Sequence, residues 1–380
     1  MKLANLFLFA SLLLPGHLFA SEPILDKLDL FAAGQSGYET FRVPGIVVTR
    51  DGTILVYCEG RRGSRSDWAD IEILLTRSTN GGKTWSPPQR LADAGKETTN
   101  NAAAIVDRDS GRIHFLYCRN YAQCFYMFSD DDGVTFSEPT EITAAFEPFR
   151  KNYAWNVLAT GPGHGIQLRN GRLVVPVWLS TAKREHRPSA VSVIYSDDHG
   201  KSWHAGDIVC EHPDPLINPS ETIAVELSDG RVLLNIRNEN RNYRRALSFS
   251  EDGATGWTPI RFDDELYEPI CKAGIVHLPQ PFADNDSTFV FTNPYSESNP
   301  DFHAKNNFRY RENVTVRLSY DDCATWPVSR VLDPGVSGYT DLAVGKDGMI
   351  YCIYERDGDK GMAYKYLTLA RFNRDWIERK

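Results

Sequence analysis

Short apolar runs, each closed by Gly, Asp, Asn or Pro, set the rhythm of this chain. Runs rich in β-branched and aromatic residues occupy positions 53–58, 71–76, 113–118, 173–178, 190–195, 232–236, 289–292, 314–318 and 349–354. Runs of that length, bounded by turn residues, are strands. Between them no segment of three or more helical turns carries apolar residues at i, i+3, i+4 and i+7. The pattern predicts an all-β chain. One segment departs from it: Lys2 is followed by the apolar run 3–14, then Pro15-Gly16 and Leu18-Phe19-Ala20. A charged start, an apolar centre and a small residue at the end predict a secretory signal peptide at 1–20, and hence a secreted or periplasmic protein. The run is too short to be a good membrane span.

Five of the turns share an octapeptide, Ser-x-Asp-x-Gly-x-Thr-Trp. Close copies lie at 78–85 (STNGGKTW), 129–136 (SDDDGVTF) and 196–203 (SDDHGKSW), and looser ones at 250–257 (SEDGATGW) and 319–326 (SYDDCATW). Successive copies start 51, 67, 54 and 69 residues apart. Self-similarity on that scale predicts a radial array of four-stranded sheets, a β-propeller. In each box the Ser and Asp side chains bond local N–H groups and Gly supplies a positive φ. The aromatic then packs back between sheets. Asn80 in the first copy tolerates the left-handed region. Cys323 in the fifth does not, which predicts a remodelled turn there. These boxes resemble the Asp-box repeats of the sialidase family, a resemblance that bears on fold and leaves function to the site.

With 380 residues, 28 Gly and 21 Pro, the chain accommodates one such domain, at 21–380. A formal net charge of −8 argues against nucleic acid or anionic membrane as the main partner. The seven cysteines are scattered, odd in number and without a CxxC pair, and the nine histidines show no HExxH spacing. No metal or organic cofactor is implied. Cys58, Cys118 and Cys352 fall within apolar strands and read as core.

Further motifs carry the resemblance across nearly all of the mature chain. Phe41-Arg42-Val43-Pro44 resembles the Arg-Ile-Pro signature with which sialidases open, and Arg42 would be the first of three arginines that meet the carboxylate of sialic acid. The segment from Glu221 to Arg237 is similar to the family's Glu-to-Arg segment and supplies the second. Arg311-Glu312-Asn313-Val314-Thr315 resembles the Arg-x-Asn-Leu-Thr run and supplies the third, with Arg309 as its rival. Glu355 would orient the first arginine. A guanidinium suits this task because its planar fork pairs bidentately with a carboxylate.

Gly338-Tyr339-Thr340-Asp341 resembles the segment bearing the family's nucleophilic tyrosine. A free phenol, with a pKa near ~10, needs a base beside it, and Glu221 would be that base. A neutral phenol also escapes the repulsion that the substrate's own carboxylate would impose on Asp or Glu. Asp67, in Arg61-Arg62-Gly63-Ser64-Arg65-Ser66-Asp67, would be the general acid, with Asp70 as the alternative. Arg61 would touch the sugar. Trp68, Trp155 and Tyr121 are candidates to line the sugar pocket. Gly161-Pro162-Gly163-His164-Gly165 resembles a family run near the pocket, whereas Asn100-Asn101 departs from the usual Asn-Pro and leaves that loop's rigidity open.

The resemblance therefore implies a six-bladed β-propeller and a monomeric exo-α-sialidase. It would cleave terminal sialic acid from glycoproteins, glycolipids or oligosaccharides with retention. A trans-sialidase, or a hydrolase of a related nonulosonic acid, is the alternative; a non-catalytic sialic-acid-binding propeller would lack Tyr339, Glu221 or Asp67.

Overall fold

The computed structural model describes residues 22–297, 311–357 and 364–379, so the expected signal peptide and Arg309 lie outside the described residues. Each predicted strand falls on an observed one, and the strands join into antiparallel meanders. The first sheet runs Thr40–Val48, Ile54–Arg62, Asp70–Ser78, Gln89–Ala92. The second runs Thr99–Val106, Ile113–Arg119, Gln123–Ser129, Thr140–Glu141, with Gly163–His164 added in parallel on its inner edge. The third centres on Leu173–Ser180 and Ser189–Ser196, and the fourth runs Thr222–Glu226, Val232–Ile236, Arg244–Ser250, Arg261–Tyr267. Helix among the described residues is confined to Arg374–Glu378 and a 3₁₀ stretch at Thr143–Lys151.

The last sheet has seven strands where four were expected. Val328–Val344 is the reason. Its first half pairs with Glu312–Ser319 and its second half with Ile350–Arg356, so one strand serves two meanders. At the far edge Leu25–Ala32 pairs with Tyr366–Phe372, bringing the two ends of the described chain into one sheet. First strands of successive sheets pack side by side: Thr40–Val48 against both Thr99–Val106 and Val328–Val344, and Thr222–Glu226 against Gly274–His277. The apolar cores lie between neighbouring sheets, where alternate side chains from both meet. All seven cysteines are buried and unpaired, filling core positions rather than cross-linking.

The boxes form the turns that their chemistry requires. In the second, Ser129 Oγ accepts from Gly133 N at 2.9 Å and Asp131 Oδ1 accepts from Thr135 N at 2.9 Å. The first box substitutes Asn80, whose Oδ1 accepts from Thr84 N while its amide donates to the Thr84 hydroxyl. Contrary to expectation, the fifth turn is not remodelled. Cys323 itself adopts φ 63° and donates its N–H to Ser319 Oγ at 3.0 Å, the bond that Gly makes elsewhere. The turn's hydrogen bonds and the 2% exposure of Cys323 outweigh the local cost of a positive φ. The altered turn is the fourth. Its Gly253 comes one residue early, so Ser250 and Asp252 each cap a group three residues ahead instead of four, and Gly256 at φ 62° restores the path.

Hydrogen bonds to the Thr135 hydroxyl and amide hold Asp131 at about 2, and Asp198 and Asp252 are held at about 2 although burial pushes each the other way. A carboxylate depressed in the folded state contributes stability above its unfolded pKa and loses it as pH falls through the folded value. The melting temperature should therefore drop steeply between about pH 4 and pH 2. Asp131→Asn should flatten that drop, measured by thermal denaturation across the range.

Candidate active site

Arg42, Arg61, Glu221, Arg237 and Arg311 stand at or near strand ends, and Tyr339 at a register shift within Val328–Val344, around a cavity of about 230 Å³. Three local irregularities aim them. The ladder slips between Arg42 and Gly45, where Val43 takes φ 53°, and again between Ser337 and Thr340, beside Tyr339. Ile270, at φ 56°, turns its carbonyl to Arg311 NH2. A β-branched residue at positive φ is costly, and such strain persists where the surroundings over-determine it.

Glu355 does so here. Its side chain is fully buried, and Oε1 accepts from Arg42 Nε at 2.6 Å and from Val43 N at 2.9 Å, while Oε2 accepts from Tyr339 N at 3.0 Å. One carboxylate thus ties the first sheet to the last and fixes an arginine and a tyrosine together.

The Tyr339 hydroxyl donates to Glu221 Oε1 at 2.5 Å and accepts from Arg237 NH1 at 2.8 Å; Arg237 NH1 also bonds Glu221 Oε2. Burial pushes the Tyr339 phenol well above its ordinary value, and Glu221 adds to this against the pull of Arg237, Arg311 and Arg42. It is a neutral phenol with a proton acceptor in place. The guanidinium carbons of Arg42, Arg237 and Arg311 lie 5.4, 6.0 and 5.5 Å from the Tyr339 ring centre. Arg237 Nε and Arg311 Nε are buried without a partner. Such orphaned donors facing a cavity suit an anion.

Asp67 sits on the loop after Ile54–Arg62 with a 46% exposed side chain, and its Oδ1 pairs with Arg61 NH1 at 2.8 Å. Arg61 is itself 1% exposed and held from behind by Glu59. Burial works against ionisation of Asp67, but Arg61, Arg42 and His186 outweigh it and hold the carboxyl below its usual range. Asp70, the alternative, begins the next strand opposite Arg62 and is absent from the cavity wall.

Of the aromatic candidates, Tyr121 lines the cavity. Trp155 does not: it is 3% exposed and its indole donates to Phe146 O, so it belongs to the core. Trp68 packs behind Tyr121, ring centres 4.5 Å apart. Asn101 replaces the expected proline without loosening the loop. At φ 52° its amide donates to Glu59 Oε1 and its side chain to Thr160 O. Several wall residues escaped the sequence reading. Tyr364 lies under Arg42, 3.9 Å from guanidinium to ring centre, and its hydroxyl accepts from Arg311 NH1. Trp178 and His186 pack edge to face above Asp67, and Glu239 binds Arg187 and Asn218 at the rim. None carries a local motif; Trp178 was visible only as part of a strand.

Residues 52–352 match the BNR repeat-like domain family. The chain belongs to the BNR-repeat sialidase family. It is similar to a sialidase of Micromonospora viridifaciens, with 32% identity over 94% of this chain and 55% of the relative. The chain therefore spans about half the length of that relative. A Hadza microbial sialidase structure superposes with a TM-score of 0.76 at 27% identity, covering 91% of this chain and 68% of the other. The intramolecular trans-sialidase of Ruminococcus gnavus, solved with oseltamivir carboxylate, gives a TM-score of 0.73 over 93% of this chain and 98% of its own; at 17% identity it bears on fold alone.

Removing the Glu355 carboxylate strands a buried guanidinium and two backbone N–H groups. Glu355→Ala should cost about 3–5 kcal/mol, read as a lower urea midpoint at unchanged m-value.

Proposed function

We propose that the protein is an exo-α-sialidase, a glycoside hydrolase built as a six-bladed β-propeller and acting on terminal sialic acid of glycans with retention. The observation that carries this is the convergence of Arg42, Arg237 and Arg311 on a buried Tyr339 already hydrogen-bonded to Glu221. Three guanidiniums, two of them with an unpartnered Nε–H, fit the carboxylate at the anomeric carbon. The phenol below them fits a nucleophile for that carbon. Six blades are supported by the side-by-side packing of first strands and by the shared strand Val328–Val344, which divides the seven-stranded sheet into two meanders. Export is supported by the apolar run at 3–14.

In this reading the reaction runs in two displacements. Asp67 protonates the leaving oxygen while the Tyr339 oxygen attacks the anomeric carbon and its proton passes to Glu221. Arg237, already donating to the phenol oxygen, stabilises the charge that grows there. Asp67, now a carboxylate, then takes a proton from the attacking water; the C–O bond to Tyr339 breaks and Glu221 returns the proton. Substrate binding prepares the acid. Arg42 is one of the groups holding Asp67 ionised, and a substrate carboxylate seated on Arg42 offsets that charge. Asp67 then takes up a proton as the anion binds.

The pH profiles should reflect this. A general acid must be protonated, so kcat/KM falls as pH rises through the depressed pKa of free Asp67, whereas kcat holds to a higher pH. Coincident limbs would contradict the coupling. Asp67→Asn should slow natural sialosides far more than activated aryl sialosides, with a burst on the latter; equal slowing without a burst would remove Asp67 from the role.

Tyr339→Phe should lower multiple turnover on an aryl sialoside by at least about two orders of magnitude, roughly 3 kcal/mol, with little change in melting temperature. Near-full activity in that variant would overturn the nucleophile. Product analysis by NMR separates hydrolysis, which frees sialic acid first as the α-anomer, from transfer to a sugar hydroxyl.

A further inference from the structure

One hairpin on the cavity wall carries chemistry that the reaction leaves unused. Its strands Ile113–Arg119 and Gln123–Ser129 are joined by Asn120-Tyr121-Ala122, and Tyr121 at the tip lines the cavity. At the neck Cys118 and Cys124 stand directly opposite one another in the ladder. Opposed residues of an antiparallel pair present their side chains on the same face, and both cysteines are fully buried in one apolar core as free thiols. Among the described strands no other cysteine faces a cysteine. Cys58 stands opposite Leu74, Cys210 opposite Val191, and Cys352 opposite Leu342 and Ala370.

The kind of pair matters. Cys124 N donates to Thr143 Oγ1 at 3.0 Å, and the Cys124 carbonyl accepts from Ile142 N at 2.8 Å. Both groups therefore point to the outer side of the strand, away from Cys118, so the two cysteines form a non-hydrogen-bonded pair. Such pairs are the narrow ones, with Cα atoms about 4.5 Å apart, and a disulfide spans Cα atoms about 4.4–6.8 Å apart. The sulfurs are neighbours already: burial first, and then the Cys118 thiol beside it, hold the Cys124 thiol well above its ordinary value. The turn beyond them is costly to keep. Asn120 and Tyr121 hold φ 54° and 53° in succession, supported by hydrogen bonds between Asn120 and Thr98 and by Leu158 N, which donates to the Tyr121 carbonyl.

We propose that Cys118 and Cys124 are a modification site, a thiol pair that a small-molecule disulfide oxidises to a cross-strand disulfide closing the neck of the Tyr121 hairpin. One cysteine thiolate attacks the small disulfide, forming a mixed disulfide and releasing one small thiol. The second cysteine thiolate attacks the protein sulfur of that mixed disulfide and releases the other small thiol. The protein loses two electrons and two protons, and the small disulfide gains them. Buried thiols are poor nucleophiles, so the exchange takes place when the hairpin opens locally. Once closed, the bond removes open conformations of the neck and holds Tyr121 at the cavity.

The test uses the full wild-type chain, purified in reductant and then held with excess oxidised glutathione in urea below the unfolding midpoint. Remaining thiols are alkylated in denaturant and the protein is digested with trypsin. Cleavage after Arg119 places the two cysteines on separate peptides, 113–119 and 120–150, which only the disulfide can join. The joined pair should appear, lighter by two hydrogens than the sum of the two peptides, with the other five cysteines alkylated. The oxidised protein should melt several degrees above the reduced one, and reductant should reverse the shift. In Cys124→Ala oxidised glutathione should leave the melting temperature unchanged. Full alkylation of both cysteines, a glutathione adduct without the cross-link, linkage of either one to a different cysteine, or a lower melting temperature on oxidation would each overturn the assignment. The wild-type comparison decides even where Cys124→Ala fails to fold.

Discussion

Like charges crowded into one cavity are the constraint on which this structure turns. Arg42, Arg61, Arg237 and Arg311 share a single wall, and guanidiniums remain charged at every relevant pH. Each must be balanced without filling the space that a ligand needs. Glu355 balances Arg42, Glu59 balances Arg61 and Glu221 balances Arg237, each from a buried or nearly buried position behind or beside its partner. Arg311 differs. It rests on the Ile270 carbonyl and the Tyr364 hydroxyl, and among the described residues no carboxylate pairs with it. Among the described residues one guanidinium is thus left without a counter-ion, beside a cavity with orphaned donors. An anion is what the wall lacks.

The same constraint explains the buried polar shell around it. Arg245 and Glu268 are both fully buried and paired, and both also hold Cys271, through its carbonyl and its amide. That grip fixes Ile270 at positive φ, whose carbonyl then supports Arg311. Replacing such a pair by apolar residues is often neutral for stability. Here its worth lies in the direction of a carbonyl rather than in free energy.

How much of this the sequence revealed depends on the range of the information. Boxes are local, so turn chemistry was readable from eight residues; the strands leading into the first, third and fifth boxes were read from their apolar runs, whereas Gln123–Ser129 and Arg244–Ser250, leading into the second and fourth, were not. Arg42, Glu221, Arg237, Arg311, Tyr339 and Glu355 carry motif neighbours; the first five line one cavity and Glu355 lies buried behind Arg42. Tyr364, His186 and Glu239 carry none; they reach the wall because distant strands end there, and periodicity does not encode that. Outer strands such as Arg261–Tyr267 escaped because one face meets solvent and the apolar run is broken. Val328–Val344 escaped because Pro334-Gly335 reads as a stop, yet the register shifts within it let both halves pair on. The fourth and fifth boxes mislead in opposite ways. A glycine one position early changes a turn more than a cysteine in the right place, because the hydrogen bonds count residues and burial supplies what a positive φ costs.

Strain and function coincide on the pocket side and separate on the other. Val43, Asn101 and Ile270 hold positive φ beside the cavity, and each is fixed by a buried group: Glu355, Glu59, or the Arg245–Glu268 pair. Non-glycine residues at positive φ also occur in the boxes, at Asp132, His199, Asp322 and Cys323, where Ser and Asp side chains of the turn itself supply the support. The boxes are therefore self-sufficient turns that any all-β chain can borrow. The pocket is not self-sufficient. Its geometry rests on carboxylates from other sheets, so Glu355 must be in place before Arg42 and Tyr339 can face one another. Assembly of the first and last sheets and assembly of the site are consequently one event, and a chain that leaves that seam open has neither.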